Sequence, residues 1–450
     1  MGNIRIFDTK AGQVVDFKPL RPGRFTMYYC GPTVYNYVHL GNLRPVIVFD
    51  ILTRLFKAEG YQTKVVSNYT DIDDKIINEA LEEKKTEREI SSFYIDAYQD
   101  SLAKLNLLPL FYRPKASEVI EKMEGFIGVL LDKGYAYKAG DDVYFRTSRI
   151  ADYGSMSHTI IENNQAGKRI EVNDLKESPY DFALWKKTAD QGIKFDSPFG
   201  RGRPGWHTEC VVMIKSVFGQ PMVDVHGGGF DLKFPHHENE RAQSIGYDGT
   251  PLASYWMHVG FLTAAGGVKM SKSLGNVVLA KDCLSRYSGN ALRLFFCQSH
   301  YRAPIAYSDE AMEKAEADGR RYVSTLQKLE YRAEWLNTDL NGAKPDAEVL
   351  SKALGFLADD LNVANALTVL ERQVRVALTI LRQLRPRPED LRTSYATLAG
   401  LYDFLGIKFD HVALSVDGRE EMEEFEKAHS EHRFDASDEL RADLIKKGIL

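Results

Sequence analysis

The chain is poor in the features that mark several protein classes. Its 450 residues hold only four cysteines, Cys30, Cys210, Cys283 and Cys297, too few and too scattered for a disulfide scaffold. No apolar run is long enough to cross a bilayer. The opening stretch, MGNIRIFDTKAGQ, has no apolar signal segment, and it lacks the Ser or Thr that an acylation motif beginning Met-Gly needs at position six. The expectation is a cytoplasmic protein with no membrane partner. Internal repeats and low-complexity segments are absent as well. So is any excess of positive charge: 58 Lys and Arg stand against 63 Asp and Glu, a net charge of −5. That balance excludes indiscriminate nucleic-acid binding by the whole surface but permits a local basic face. Lys168-Arg169, the Arg201 to Arg203 stretch and Arg320-Arg321 are candidates for one, and each equally suits a solvated surface.

Two short strings carry the strongest chemical signal. His39-Leu40-Gly41-Asn42 follows an apolar strand-like run and opens an amphipathic helix, whose free N–H groups and positive dipole end suit phosphate. His39 and Asn42 add side-chain donors there, and Gly41, lacking Cβ, lets a nucleotide approach the backbone. Far downstream, Lys269-Met270-Ser271-Lys272-Ser273 places two lysines on a segment flanked by Gly266, Gly267 and Gly275, able to close over a polyphosphate. Either string alone has an ordinary explanation, a helix start or a solvated loop. Their pairing and order read as two halves of a nucleotide-activating site.

A length of 450 residues suggests about three domains at roughly 150 residues each. From Arg24 to Thr70 the pattern is strand, helix, strand, a βαβ unit of a parallel sheet. The polar run Asn68 to Lys75 follows the second strand, at the carboxyl edge where open α/β sheets bind ligands. Asp71, Asp73 and Asp74 there fit a direct role or the capping of the next helix equally well. Residues from about Pro114 to Gly205 look like an insertion, including the hairpin-like GDDVYFRTS. The sheet resumes at MVDVHGGGFD and near YWMHVGFL. After about Ser308, apolar residues at helical spacing indicate a helix bundle, and Arg385 to Pro388 read as a linker to a charged, helix-prone C-terminal segment.

His236 and Glu240 stand four residues apart in PHHENE, on one face of a helix, and form a metal-capable pair. The zinc-protease arrangement is excluded because no second histidine follows at the required spacing. Cys30 ends the first strand of the βαβ unit and Cys210 opens a helix in TECVVMIKSVF. These two with His236 and Glu240 could complete one zinc site, although cysteines of this kind are commonly just small buried residues. Cys283 and Cys297 sit in helix-like apolar context and read as core.

With CGPTVYNYVHLGN, NYTDIDDKI, DFALWK, GRPGWHTEC, HGGGFDLKFPHHENE, YWMH, KMSKSLGN and DDLNVANAL in one order along the chain, the sequence resembles the class I aminoacyl-tRNA synthetases, and among them the bacterial cysteinyl group. His39 to Asn42 corresponds to the family's ATP-binding "HIGH" element, with Asn in its last place, and Lys269 to Ser273 to its "KMSKS" loop. The resemblance implies zinc held by Cys30, Cys210, His236 and Glu240, acting as selector for a cysteine thiol against a serine hydroxyl, with no need of an editing site. It implies Mg²⁺ accompanying ATP, with His39, Asn42, Lys269 and Lys272 facing the phosphates. Asp231 becomes a candidate partner for the ATP ribose, and Thr70, Trp206 and His226 for the amino acid. Trp206 as a core aromatic and His226 as a satisfied strand-end histidine are the plain alternatives.

The expected fold is α/β: a Rossmann-like parallel-sheet catalytic domain with an insertion, then a helical bundle and a small C-terminal anticodon-binding region. The expected boundaries are 1–113 and 206–265 for the two catalytic halves, 114–205 for the insertion, 266–307 for the lysine loop and stem-contact region, 308–385 for the bundle and 386–450 for the anticodon region, whose far edge stops short of the family pattern. L-cysteine, ATP and cysteine tRNA are the implied partners of a monomer, in a two-step activation and transfer. The competing expectation is a cysteine ligase that uses a small amine acceptor such as an aminosugar. The long helical C-terminal region argues against it.

Overall fold

A computed structural model describes residues 3–159, 175–188, 190–264 and 277–450. The chain opens with an antiparallel pair that its sequence pattern did not announce, β1 (Arg5–Asp8) and β2 (Gln13–Asp16). The strand read as first is therefore third, β3 (Arg24–Tyr29), and Cys30 lies one residue beyond its end. Four of its six residues are buried, as expected of a strand covered on both faces of a parallel sheet. α1 (Leu40–Ala58) crosses over to β4 (Gln62–Ser67), which runs parallel to β3 from the Arg24–Gln62 pair to the Tyr29–Ser67 pair.

Next come α2 (Asp74–Glu83), α3 (Glu87–Ala103) and α4 (Ile120–Asp132). A separate antiparallel sheet then forms from β5 (Ala136–Ala139), β6 (Asp142–Phe145), β7 (Phe182–Lys187) and β8 (Gly202–Pro204), paired in that order. The chain returns to the parallel sheet through α5 (Trp206–Phe218), β9 (Val223–Gly229), α6 (Glu238–Asp248) and β10 (Ala253–Val259). Strand order in that sheet is β10-β9-β3-β4, all parallel. From β3 the chain first adds β4 on one side and much later β9 on the other. The order reverses between β3 and β9, and the crevice at the carboxyl ends of these two strands is where such sheets take ligands.

A short parallel pair, β11 (Leu262–Thr263) with β12 (Ile305–Ala306), brackets α7 (Ala280–Arg286) and α8 (Gly289–Cys297). The rest is helical: α9 (Asp309–Trp335), α10 (Ala347–Ala358), α11 (Val363–Leu381), α12 (Pro388–Leu405), α13 (Val416–Ser430) and α14 (Phe434–Lys446). Ser308, Asp346, Asn362 and Ser415 each accept a backbone N–H at the start of one of these helices, which satisfies donors that a helix end otherwise leaves open. Pro388 occupies the first turn of α12, where its missing N–H costs nothing. One continuous core joins α1 and the parallel sheet to α9 through α12, and a second lies under the antiparallel sheet. No helix among the described residues is long and apolar enough to cross a membrane.

Candidate active site and metal centre

His39 caps α1 in extended conformation. Its backbone N–H donates to Asn42 Oδ1 at 3.1 Å, and Asn42 N–H donates to the His39 carbonyl at 2.9 Å. The asparagine thus closes the helix start with its oxygen, and its amide NH₂ remains the donor it can offer to a phosphate. A Cβ on Gly41 would stand 3.1 Å from the His39 ring and 3.3 Å from Leu262. Lys269 and Lys272 lie outside the described residues. The chain that follows them pairs with the helix start: Leu40 N–H donates to the Val278 carbonyl at 2.8 Å and Ala280 N–H to the Val38 carbonyl at 3.0 Å. A cleft of about 590 Å³ opens here, lined by His39, Gly41, Asn42 and Asp231, with Cys30 and Trp206 in its wall.

Cys30, Cys210, His236 and Glu240 converge at the same crevice, their ligand atoms all within 4.8 Å of one another. Cys30 Sγ lies 3.7 Å from Cys210 Sγ and 3.7 Å from Glu240 Oε1, and Cys210 Sγ lies 3.8 Å from His236 Nε2. Tetrahedral zinc, with bonds near 2.3 Å to sulfur and 2.0 Å to nitrogen or oxygen, sets its ligands about 3.3–3.8 Å apart. A fourth edge is shorter, His236 Nε2 to Glu240 Oε1 at 2.7 Å, a direct hydrogen bond. Two thiols, an imidazole and a carboxylate in this arrangement fit a thiophilic divalent cation.

The sequence placed two of these residues imperfectly. Cys210 does not open its helix; α5 begins four residues earlier, at Trp206, just after Gly205, which lies extended so close to β7 that a Cβ there would meet the Ala183 carbonyl oxygen at 1.9 Å. His236 and Glu240 do not share one regular helix either: His236 sits in a wider turn, Lys233–His237, with Glu240 in the first turn of α6. At the other ligand, Gly31 brings the Cys30 segment against the Asn68 carbonyl, where a Cβ would stand at 1.7 Å. Cys283 and Cys297 are buried as read, and burial pushes their thiols up to about 11 and about 12.

Histidines beyond the sequence reading surround this centre. His237 Nε2 lies 3.3 Å from Cys30 Sγ, so Cys30 and Glu240 also form a second metal-capable group with His226 and His237. In that group both imidazoles have further partners, as His236 has in the first. His226 meets Glu240 Oε2 through Nε2 and the Tyr28 carbonyl through Nδ1, and His237 Nδ1 is bound to His258, which in turn meets Thr9. His207 Nδ1 lies 2.9 Å from His236 Nδ1 and fixes the far side of that ring. The adjacent pair His236-His237 and the histidine of GWHTEC were the signals available for these groups.

Electrostatics reflect the crowding. Burial opposes charge on His236, yet Glu240 and Cys210 outweigh it and hold the imidazole up at about 10. Cys210 falls to about 6, chiefly through its hydrogen bond with Cys30, while burial drives Cys30 well above the ordinary thiol range. Burial also acts against the Glu240 carboxylate, but His226 and His236 overcome it and hold it well below the usual range. His207 and His258 are pushed down to about 3 by burial, aided by His236 and by Lys233 and His226 respectively.

The remaining candidates divide. Trp206 is not a core aromatic: it is 39% exposed and stacks on His236 at 4.2 Å between ring centroids. His226 is wholly buried beneath the crevice. Thr70, also buried, donates to Glu209 Oε2 at 3.0 Å, and pairs with Thr33 of the cleft wall. The acidic run has structural partners: Asp73 caps α2, Asp71 accepts from Ser117, and Asp74 pairs with Arg203 at 3.1 Å. Arg321 is likewise held by Asp318 and Glu371. Lys168 and Arg169 lie outside the described residues.

Comparison with known proteins gives the family. The profile described as "tRNA synthetases class I (C) catalytic domain" matches residues 16–317. The Cysteine--tRNA ligase of Halalkalibacterium halodurans is 40% identical over 453 residues, 99% of this chain and 97% of that protein. The Cysteine--tRNA ligase of Staphylococcus aureus is 39% identical over 455 residues, at the same coverage. Among solved structures, Mycobacterium tuberculosis methionyl-tRNA synthetase in complex with methionyl-adenylate has a similar fold, with a TM-score of 0.58 at 14% identity over 85% of this chain and 89% of its own. An Agrobacterium radiobacter LeuRS–tRNA complex gives 0.59 at 13% identity, over 86% and 84%. The chain belongs to the class I tRNA synthetases, within the family of the cysteine–tRNA ligases.

Proposed function

We propose that the protein activates L-cysteine with ATP to cysteinyl adenylate and transfers the cysteinyl group to the 3′-terminal adenosine of cysteine tRNA. The observation that carries this reading is the joining of two sites at one crevice: a two-thiol metal-capable group and the capped start of α1. Cys30, Cys210, His236 and Glu240 would hold zinc, which when bound takes a cysteine thiol as thiolate and is a poor partner for the harder serine hydroxyl. Trp206 walls the amino-acid space beside His236, with Thr70 and His226 supporting it from beneath. His39 and Asn42 orient the triphosphate at the helix N-terminus, where N–H groups and dipole favour negative charge. Lys269 and Lys272 neutralise charge as it develops on the departing pyrophosphate, Mg²⁺ accompanies the nucleotide, and Asp231 accepts from its ribose hydroxyls.

In the first step the cysteine carboxylate oxygen attacks the α-phosphorus in line; the bond to the bridging oxygen breaks and pyrophosphate leaves with the electron pair. No enzyme nucleophile is needed, so catalysis rests on positioning and charge stabilisation. In the second step a ribose hydroxyl of the tRNA attacks the acyl carbon and AMP departs. We assign the helices from α9 onward to the tRNA, with residues 386–450 at the anticodon. Similarity to the ligases runs through these helices to 99% of the chain, which favours tRNA over a small amine acceptor. Charging assays with cysteine tRNA and with an aminosugar test the choice. Labelled cysteine should appear on the tRNA, and transfer to the sugar alone would overturn the reading.

A further inference from the structure

Arg44, just past Asn42 on α1, is among the largest wholly buried side chains of the protein. All its acceptors are neutral. Nη1 donates to the carbonyls of Gly260 at 2.7 Å and Phe261 at 3.2 Å, and Nη2 to Ser299 Oγ and the His300 carbonyl, each at 3.2 Å. No carboxylate among the described residues pairs with it, and burial pulls the guanidinium down only to about 10, so it stays charged at neutral pH. A buried cation without an anion is costly. What it supplies in return is geometry, since one planar fork fixes two chain segments at once.

The first segment, residues 260–262, leads from β10 into β11 and lines the nucleotide cleft together with His39, Asn42 and Asp231. Leu262 stands against Gly41, and the Phe261 ring meets that of Phe230, the neighbour of Asp231, edge-on at 5.4 Å. The second segment, residues 299–302, is anchored by Asp360, between α10 and α11. His300 Nε2 bonds to the Asp360 carbonyl at 2.8 Å, and the Asp360 carboxylate accepts from Tyr301 Oη at 2.8 Å and Arg302 Nη2 at 2.7 Å. Gly260 N–H donates to the Tyr301 carbonyl at 2.8 Å, and a Cβ on Gly260 would stand 2.6 Å from the carbonyls of Arg302 and Ala303. Arg44 therefore fastens a wall of the cleft, and the helix that opens it, to a segment anchored in the helical region.

We propose that Arg44 is a positioning residue for ATP, its fork holding residues 260–262 at the spacing from the start of α1 that the bound nucleotide needs. The inference rests on the reading of this crevice as an ATP site. The test is ATP binding to the metal-loaded full chain by equilibrium dialysis, with the KM values for ATP and L-cysteine measured in pyrophosphate exchange. Arg44→Met should weaken ATP binding and raise its KM by about tenfold, leaving the KM for cysteine and the metal content unchanged. Arg44→Lys keeps the charge without the fork and should remain at least about fivefold weaker than wild type. A merely structural role would instead lower the folded fraction, and with it kcat, at unchanged KM. If Arg44→Met fails to fold, Arg44→Lys decides. Unchanged ATP affinity in the folded variants, wild-type affinity in Arg44→Lys, or a cysteine KM that rises equally would each overturn the proposal. Wild-type protein that binds ATP but exchanges no pyrophosphate would overturn the function assigned above while dialysis still decides the role of Arg44; wild-type protein that binds no ATP would overturn both.

Discussion

Two buried polar centres of the molecule are built on opposite plans. Where α1 meets α8 and the helical bundle, Asp50 is shared by Arg54 and Arg293, all three side chains at most 5% exposed. The remaining guanidinium N–H groups go to the carbonyls of Leu105, Asn106, Asp403 and Leu405, and Arg54 Nη1 also pairs with the Asp403 carboxylate at 2.8 Å. Charge there is matched within the protein, and the result is a joint between the nucleotide helix and α12. At the crevice, thiols, imidazoles and a carboxylate are drawn from the residue after β3, from α5, β9, the Lys233–His237 turn and α6 into one space. Electron-pair donors of one kind are costly to gather unless a cation unites them. Matched charge joins helices; concentrated donors suit a cation.

The sharpest break in this contrast is Cys210→Ser. Loss of a ligand should exceed the roughly 10–100-fold penalty of losing an outer partner, abolishing cysteine-dependent pyrophosphate exchange and bound metal together while circular dichroism stays native. At the joint the opposite pattern is expected: Arg293→Met leaves Asp50 with a single cation and should cost about 3–5 kcal/mol in urea unfolding, with metal content unchanged. A loss below about 1 kcal/mol would show that the joint is incidental.

Protonation separates the two centres further. His207 and His258 are held at about 3 when folded, against an ordinary value of 6.5. The unfolded chain therefore binds more protons between those values, so the stability these residues contribute is full above about pH 6.5 and lost as pH falls toward 3. Metal-free protein should show this acid limb in thermal unfolding, and His258→Gln should flatten it; an unchanged limb would remove His258 from the explanation. The smallest effect is expected at the helix start. Asn42→Ala removes the acceptor for His39 N–H, costing about 1 kcal/mol and raising the KM for ATP several-fold while the KM for cysteine stays put. A cysteine KM that rises equally would contradict a role confined to the nucleotide.

The sequence made the βαβ unit, the insertion and the helical region legible because each has its own period of apolar residues. It hid β1 and β2, whose four-residue strands are too short to show one. His39, Gly41 and Asn42 were readable because a helix start is local. The metal group was readable only in part. His236 and Glu240 announced themselves by spacing, whereas Cys30 and Cys210 stand 180 residues apart and meet through sheet topology, so the family resemblance rather than spacing united them. His207, His237 and His258 were missed because their local signals, a neighbouring histidine or a motif, do not tell a histidine that braces another side chain from one that fills a core.

The most direct measurement is ATP–pyrophosphate exchange by the metal-loaded protein with L-cysteine, repeated with L-serine in large excess and again after chelation. Exchange that requires both cysteine and metal, with serine inert, is expected. Exchange supported equally by serine, or undiminished once the metal is gone, would contradict a thiol-selecting metal at the crevice.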